Sequence, residues 1–252
     1  ARPKTGCGAA SGYNWPWFLV ANQQQTEFFA FYLGWSGLWR AEVLCDTTMQ
    51  QVLHVYREVE LWRTTGAPSE LVAVLSYDEK PGIQAIENTA PDLPPVPGKQ
   101  VSVGRDHEYI RHGTLSLLAG IDLLSGEILG LVRERHRSVE FIEFLRMTDA
   151  HYPPEKRIRM VLDNHSAHIS RETRSYLATV PNRFEFTFTP THGSWLNLIE
   201  SFFGKMAKTL LRGIRVASQD ELKARIELYL QEVNEEPVVF RWKYKLETLS
   251  VV

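Results

Sequence analysis

Leu71-Val-Ala-Val-Leu-Ser-Tyr-Asp78 decides the fold. Its seven uncharged residues form an unbroken apolar run too short for a helix, so the stretch reads as a strand buried on both faces that ends in a carboxylate. Downstream, Thr114 to Asp122 reads as a second strand, Ser125-Gly126 as a turn, and Glu127 to Arg133 as the returning strand of a hairpin. Ile158-Arg-Met-Val-Leu162 is a second apolar run, and Asp163 ends it as Asp78 ends the first. Phe184 to Phe188 alternates with polar partners as a fifth strand.

Helical periodicity fills the intervals. Met49, Val52, Leu53, Val55, Tyr56, Val59 and Leu61 recur at near-helical spacing, predicting a helix over 47–64 that Gly66-Ala-Pro68 ends. Ser138 to Ala150 is a helix with Val139, Phe141, Ile142 and Leu145 on its inner side, and Ser170 to Ala178 is another. Trp195 to about Arg212 follows, with Ile199, Phe203, Met206 and Leu210 as its core stripe. A last helix begins at Ser218, which forms a capping box with Glu221, and runs to about Glu235. Strands joined by tight turns, followed by strand–helix units, imply an α/β architecture: a mixed five-stranded sheet with helices on both faces. A long Pro/Gly-rich loop is expected from Pro81 through Gly98.

Composition narrows the function classes. Of 252 residues, 44% are hydrophobic and 23% charged, as in an ordinary soluble domain. The net charge of −2 gives no global sign of nucleic-acid binding, so any DNA contact must come from clustered cations. Cys7 and Cys45 are the sole cysteines, which implies no disulfide framework and favours a reducing compartment. No segment approaches the ~20 apolar residues of a membrane span. Arg2 and Lys4 ahead of Trp15 to Ala21 faintly suggest a signal peptide, but the aromatic content and the missing small-residue cleavage pattern argue against export. There is no G-x-x-x-x-G-K-[ST] loop to imply a nucleotide cofactor, and Gly193-Ser194 lacks a nucleophile elbow.

Three carboxylates carry the chemistry. Asp78 and Asp163 sit at strand ends, while Glu200 shares a helix face with Asn197, Gly204 and Lys208, beside the apolar stripe. If that helix covers the ends of the two strands, three hard oxygen ligands converge. Crowded carboxylates repel one another, and divalent cations relieve that repulsion. Any one of the three alone reads better as a solvated surface or turn carboxylate.

The segments Ser76-Tyr-Asp-Glu-Lys-Pro81, Val161-Leu-Asp-Asn-His-Ser-Ala-His168 and Pro190-Thr-His-Gly-Ser-Trp-Leu-Asn-Leu-Ile-Glu200 resemble the DDE transposases with an RNase H-like catalytic core, in the mariner-like group of bacterial insertion-sequence transposases. The resemblance runs from about Thr48 to Thr248. The motifs stand in family order, and the 37-residue step from Asp163 to Glu200 is close to the family's mid-thirties spacing. It implies that Asp78, Asp163 and Glu200 are the catalytic acidic triad and the ligands of two Mg²⁺ or Mn²⁺ ions. It also implies cleavage at transposon ends with strand transfer to target DNA, a homodimer on DNA, and a cytoplasmic, nucleoid-associated location.

Around the triad, Lys80, Asn164, His165, Asn197 and Lys208 are candidate DNA contacts. For Asn164 and His165 a polar cap on the next helix is the equal reading, for Lys80 a solvated lysine, and for His168 a structural hydrogen bond. Trp195 reads as core rather than as a base-stacking platform. The basic sets Arg105, His107, Arg111, His112 and Arg133, Arg135, His136, Arg137 read as solvated faces that could track a DNA backbone. Residues 1–45, with Trp15, Trp17, Trp35 and Trp39, read as an atypical arm ahead of a catalytic domain over 46–252, whose core spans about 70–236. Because no basic recognition helix stands in that arm, the expectation is a truncated or frame-disrupted chain. Two rival readings follow: a non-catalytic remnant or domesticated interaction protein keeping the fold, and a nuclease of the same fold acting on RNA or other DNA structures.

Overall fold

In the computed structural model, the described residues are 37–65, 71–99, 101–190, 193 and 196–239, with the side chains of 37–47 left out of account. Five strands form one sheet: β1 Val72–Asn88, β2 Tyr109–Asp122, β3 Ile128–Arg133, β4 Arg157–Leu162 and β5 Phe184–Phe188. Their order is β3-β2-β1-β4-β5. The β1–β2 and β2–β3 pairs are antiparallel, and β1–β4 and β4–β5 are parallel, giving the mixed RNase H-like sheet expected.

Strand alternation sends successive side chains to opposite faces, and each face has its own apolar layer. Val74, Leu117, Ala119, Ile121 and Val161 face helix α1, Gly37–Thr65, together with α4, Ile199–Met206, and α5, Gln219–Glu235. Leu75, Tyr77, Leu118, Met160 and Leu162 face α2, Ser138–His151, with α3, Arg171–Thr179, alongside. Burying both faces explains why β1 and β4 read as unbroken apolar runs. No helix among the described residues is long and apolar enough to cross a membrane.

Several boundaries differ from the sequence reading. β1 does not stop at Tyr77 but continues through Pro81-Gly82 to Asn88, so the connecting loop covers 89–108 instead of 81–98. Pairing shifts register between Lys80 and Ile83, where Lys80 faces Leu117 and Ile83 faces Leu115. This bulge accommodates Pro81, which has no N–H to give the ladder, and Gly82 takes a φ of +68° there. Helix α1 begins at Gly37, ten residues earlier than periodicity suggests, so the end of the expected arm is already helical.

On α2 the inner side is Phe141, Phe144, Leu145 and Thr148, whereas Val139 is 70% exposed. The helix expected from Trp195 starts at Ile199, and after Met206 it widens into a π-helical turn, Ala207–Leu211. At α5 the Ser218 hydroxyl accepts from the Glu221 N–H at 3.1 Å, but the Glu221 carboxylate accepts from the N–H of Ala217, not Ser218. The box closes one residue early.

Candidate active site

Parallel pairing of β1 with β4 places like ends side by side: Ser76 is opposite Val161, and two residues on stand Asp78 and Asp163. Because β1 continues, Asp78 is a mid-strand residue rather than a strand end. Its side chain shares a sheet face with Ser76 and Lys80, towards α4. Lys80 lies half-buried with Nζ 5.9 Å from the Phe203 ring centroid.

Helix α4 is fastened to this strand by buried polar bonds. Ser76 Oγ donates to Asn197 Oδ1 and accepts from the Ile199 N–H at 3.0 Å. Asn197 Nδ2 donates to the Tyr77 carbonyl at 2.7 Å and lies 3.3 Å from Asp78 Oδ2. Tyr56 Oη, from α1, donates to the Leu196 carbonyl at 2.5 Å. Asn197, 2% exposed, is therefore a buried pin and not a DNA contact: its amide is consumed at both ends inside the protein.

The pin sets Glu200 in the first turn of α4, exposed and close enough to act on Asp78. Burial is the largest influence on Asp78, and the carboxylates of Glu79, Asp163 and Glu200 add to it. Together they outweigh the Glu79 N–H bond and carry its pKa up to about 7. Asp163 moves the other way. The bond from His168 lowers its pKa most, against partial burial, and the His165 N–H at 3.0 Å adds to the lowering. A carboxyl whose pKa is raised beside two other carboxylates is an arrangement whose mutual repulsion a divalent cation would relieve.

The opposite face of β1 carries a residue the sequence reading passed over. Glu79 lies next to Asp78 but points with Tyr77 towards α2. Tyr77 Oη and His168 Nε2 meet its Oε1 at 2.8 and 2.9 Å. His168 Nδ1 lies 2.9 Å from the Asp163 carbonyl and 3.2 Å from Asp163 Oδ1. Burial works against a charged ring here, yet the bonds to Asp163 and Glu79 prevail and raise the His168 pKa to about 9. Part of the signal for Glu79 was available: strand alternation puts it beside Tyr77, and His168 is a recurring position of the second motif.

Glu79, His165 and His168 also bring ligand-type atoms within 4.8 Å of one another. Both ring nitrogens of His168 are already engaged, Nε2 by Glu79 and Nδ1 by Asp163. His165 Nδ1 is buried without a hydrogen-bond partner, and its ring stacks loosely towards His136, with centroids 6.1 Å apart. Asn164 Nδ2 donates to the Thr189 carbonyl at 2.7 Å, tying the β4 loop to the end of β5. Lys208 is exposed on the π-helical turn. His192, Ser194 and Trp195 lie outside the described residues, so the expected core role of Trp195 does too. Of the basic sets, Arg105 pairs with Asp92, His112 with Glu87 and Arg133 with Glu143, while Arg135 and Arg137 are exposed.

Residues 74–223 match the family described as DDE superfamily endonuclease. An "Insertion element IS630 uncharacterized 39 kDa protein" of Shigella sonnei is 26% identical over 137 residues, 54% of this chain and 38% of that protein. Among solved structures, the Mos1 strand transfer complex aligns at TM-score 0.49 and 16% identity, covering 75% of this chain and 56% of that one. The Mos1 transposase catalytic domain with raltegravir and Mg aligns at TM-score 0.49 and 15% identity, covering 76% of this chain and 85% of that one. This chain thus spans well under two thirds of the length of the Shigella protein and of the Mos1 chain in the strand transfer complex. The family match carries the assignment.

Proposed function

This chain belongs to the DDE superfamily of endonucleases, and we propose that it is the catalytic domain of a transposase, cleaving DNA phosphodiesters and transferring strands with the help of divalent cations. The observation that carries this reading is that Asp163 and Glu200 both stand close enough to Asp78 to add to the rise that burial gives its pKa. Two carboxylates far away in sequence, one after β4 and one on α4, thus act on a carboxyl of β1.

Asp78, Asp163 and Glu200 would hold Mg²⁺ or Mn²⁺, two ions in the full reading. Such ions supply Lewis acidity that lowers the pKa of an attacking water or 3′-hydroxyl and stabilises the leaving oxygen. The chain's own part is rigidity. Asn197 and Ser76 fix α4 against β1, and the bonds to Asp163 hold that carboxylate ionised and ready. Lys80, His165 and Lys208 are the candidates that would meet DNA phosphates. A second copy on paired DNA ends is the assembly proposed from the transposase resemblance.

The test is Mg²⁺-dependent nicking of supercoiled and transposon-end duplex DNA by the full chain against Asp163→Asn, with an RNA–DNA hybrid as competitor substrate. Cleavage of duplex DNA that the variant loses supports the reading. Preference for the hybrid would replace it with an RNA-directed nuclease. A metal-independent background equal in both proteins would leave a non-catalytic member of the family.

A further inference from the structure

Two buried titratable side chains stand behind the triad and connect to it through Asp163. The Glu79 side chain is 7% exposed and the His168 side chain 0%. The ring of His168 is enclosed by Phe141, at 4.5 Å between centroids, and by Tyr77 at 5.5 Å. Both of its nitrogens face acceptors. Nε2 meets the Glu79 carboxylate, and Nδ1 meets the Asp163 carbonyl and Oδ1 together. A backbone carbonyl cannot donate, so Nδ1 must carry a proton, and Nε2 is held against the Glu79 carboxyl group. The Tyr77 hydroxyl, donating to the same Glu79 oxygen at 2.8 Å, fixes that carboxylate in turn.

Nδ1 grips the main chain and the side chain of one residue at once. A donor shared between the carbonyl and Oδ1 of Asp163 restricts the rotation of that side chain about its first bond. The His165 N–H at 3.0 Å is the second donor to Oδ1. Oδ1 is thereby committed, which leaves Oδ2 for a cation.

We propose that His168, oriented by Glu79 and Tyr77, is a positioning residue that fixes the Asp163 carboxylate in its metal-binding rotamer. The proposal rests on the reading of Asp163 as a metal ligand. Partners behind a ligating group set its orientation, and their removal typically costs ten- to a hundredfold in metal affinity. Glu79 is the far end of the chain of bonds: Tyr77 to Glu79 to His168 to Asp163.

The two ring nitrogens can be deleted separately. In His168→Asn the amide nitrogen stands where Nδ1 was and keeps the bond to Asp163. In His168→Gln it stands where Nε2 was and keeps only the bond to Glu79. Each variant loses one buried bond, so a purely structural role predicts equal effects. Mn²⁺ affinity of the full chain, read by calorimetric titration and by the rise in melting temperature, separates the cases. The expected result is His168→Asn within about threefold of wild type and His168→Gln weaker by about tenfold or more, with similar melting temperatures in the absence of metal. Equal Mn²⁺ affinities in the two variants would overturn the positioning role while leaving the metal site standing. No Mn²⁺ binding by the wild type would overturn the metal site and the positioning role with it. Should the Gln variant fail to fold, a folded His168→Asn protein decides alone: tenfold weaker binding there overturns the proposal.

Discussion

Asn197 reaches across the chain to Asp78: its amide nitrogen lies 3.3 Å from Asp78 Oδ2 while donating to the Tyr77 carbonyl at 2.7 Å. Its amide oxygen takes the Ser76 hydroxyl proton, and that hydroxyl accepts the N–H at the start of α4. One buried side chain therefore joins the helix that bears Glu200 to the strand that bears Asp78. Asn197→Ala leaves the Ser76 hydroxyl and the Tyr77 carbonyl short of partners in the core, at a cost of about 2–3 kcal/mol. For a domain of this size that lowers the melting temperature by roughly 4–12 °C. Calorimetry of the variant checks it, and Ser76→Ala should fall in the same range because it releases the same helix end.

Metal binding should depend on pH through Asp78. With its pKa near 7, this carboxyl is mostly protonated at pH 6 and mostly ionised at pH 8. A cation binds the ionised form, so a proton competes with it below pH 7. Mn²⁺ affinity is expected to fall about tenfold from pH 8 to pH 6, with close to one proton released per ion bound at pH 6. Titrations in two buffers of different ionisation enthalpy measure that proton.

Stability without metal should run the opposite way. The folded-state pKa of Asp78 lies above its ordinary value of 3.8, so its contribution is fully present below that pH and is lost progressively as pH rises to about 7. Asp78→Asn removes the titration and keeps an oxygen to accept the Glu79 N–H, a bond of 2.8 Å in the wild type. The variant should be more stable than wild type at pH 8 by about 1–3 kcal/mol and indistinguishable near pH 4. Metal should raise the wild-type melting temperature at pH 8 and leave the variant unmoved.

Much of this arrangement was legible in the sequence, for reasons that differ by element. β4 and the first half of β1 are buried on both faces, so their apolar runs mark them directly. The second half of β1 was hidden by Pro81-Gly82, a pair that normally ends a strand and here forms a bulge within one. Asp78 and Asp163 were readable because an unbroken apolar run that meets a charge is conspicuous, even though β1 continues past Asp78. Glu200 was readable only through helical periodicity and motif resemblance. Asn197 shares its helical spacing with Glu200, so it reads as part of the same helix face and as a candidate DNA contact. Its true position follows from α4 starting later, at Ile199, which puts Asn197 in the preceding turn and not on the helix. The role of Glu79 was not legible because it depends on His168, 89 residues away, meeting it on the other face of the sheet.

The packing of α5 on the hairpin offers a test of the fold away from the site. A Cβ on Gly130 would stand 2.5 Å from Leu230 Cδ1 and 3.3 Å from Leu117 Cδ1. Leu230 could rotate away from a methyl group, but a branched side chain would have to displace α5 itself. Gly130→Val is expected to cost about 1–3 kcal/mol by overpacking. Gly130→Val combined with Leu230→Ala should recover much of the loss, since the second change vacates the contested space. Denaturant unfolding of the single and double variants decides it.

Lys208 lies exposed on the π-helical turn that extends α4 beyond Met206, the same helix whose first turn carries Glu200. A cation there would meet the DNA backbone on the Glu200 side of the site without touching the reacting phosphate. A single phosphate contact contributes through counterion release, so Lys208→Ala should weaken binding about equally on all sequences. It should also reduce the slope of log affinity against log salt by about 0.9. The rate of cleavage at saturating DNA should be unchanged, because no part of the carboxylate set moves. Asn197→Ala is the control with the opposite signature. Buried between α4 and β1, Asn197 gives nothing to the salt slope, but its loss disturbs the spacing of Asp78 and Glu200 and should lower the cleavage rate. Fluorescence anisotropy across a salt series with single-turnover cleavage on the same variants separates the two effects. A salt slope unchanged by Lys208→Ala would place the DNA on another face of the domain.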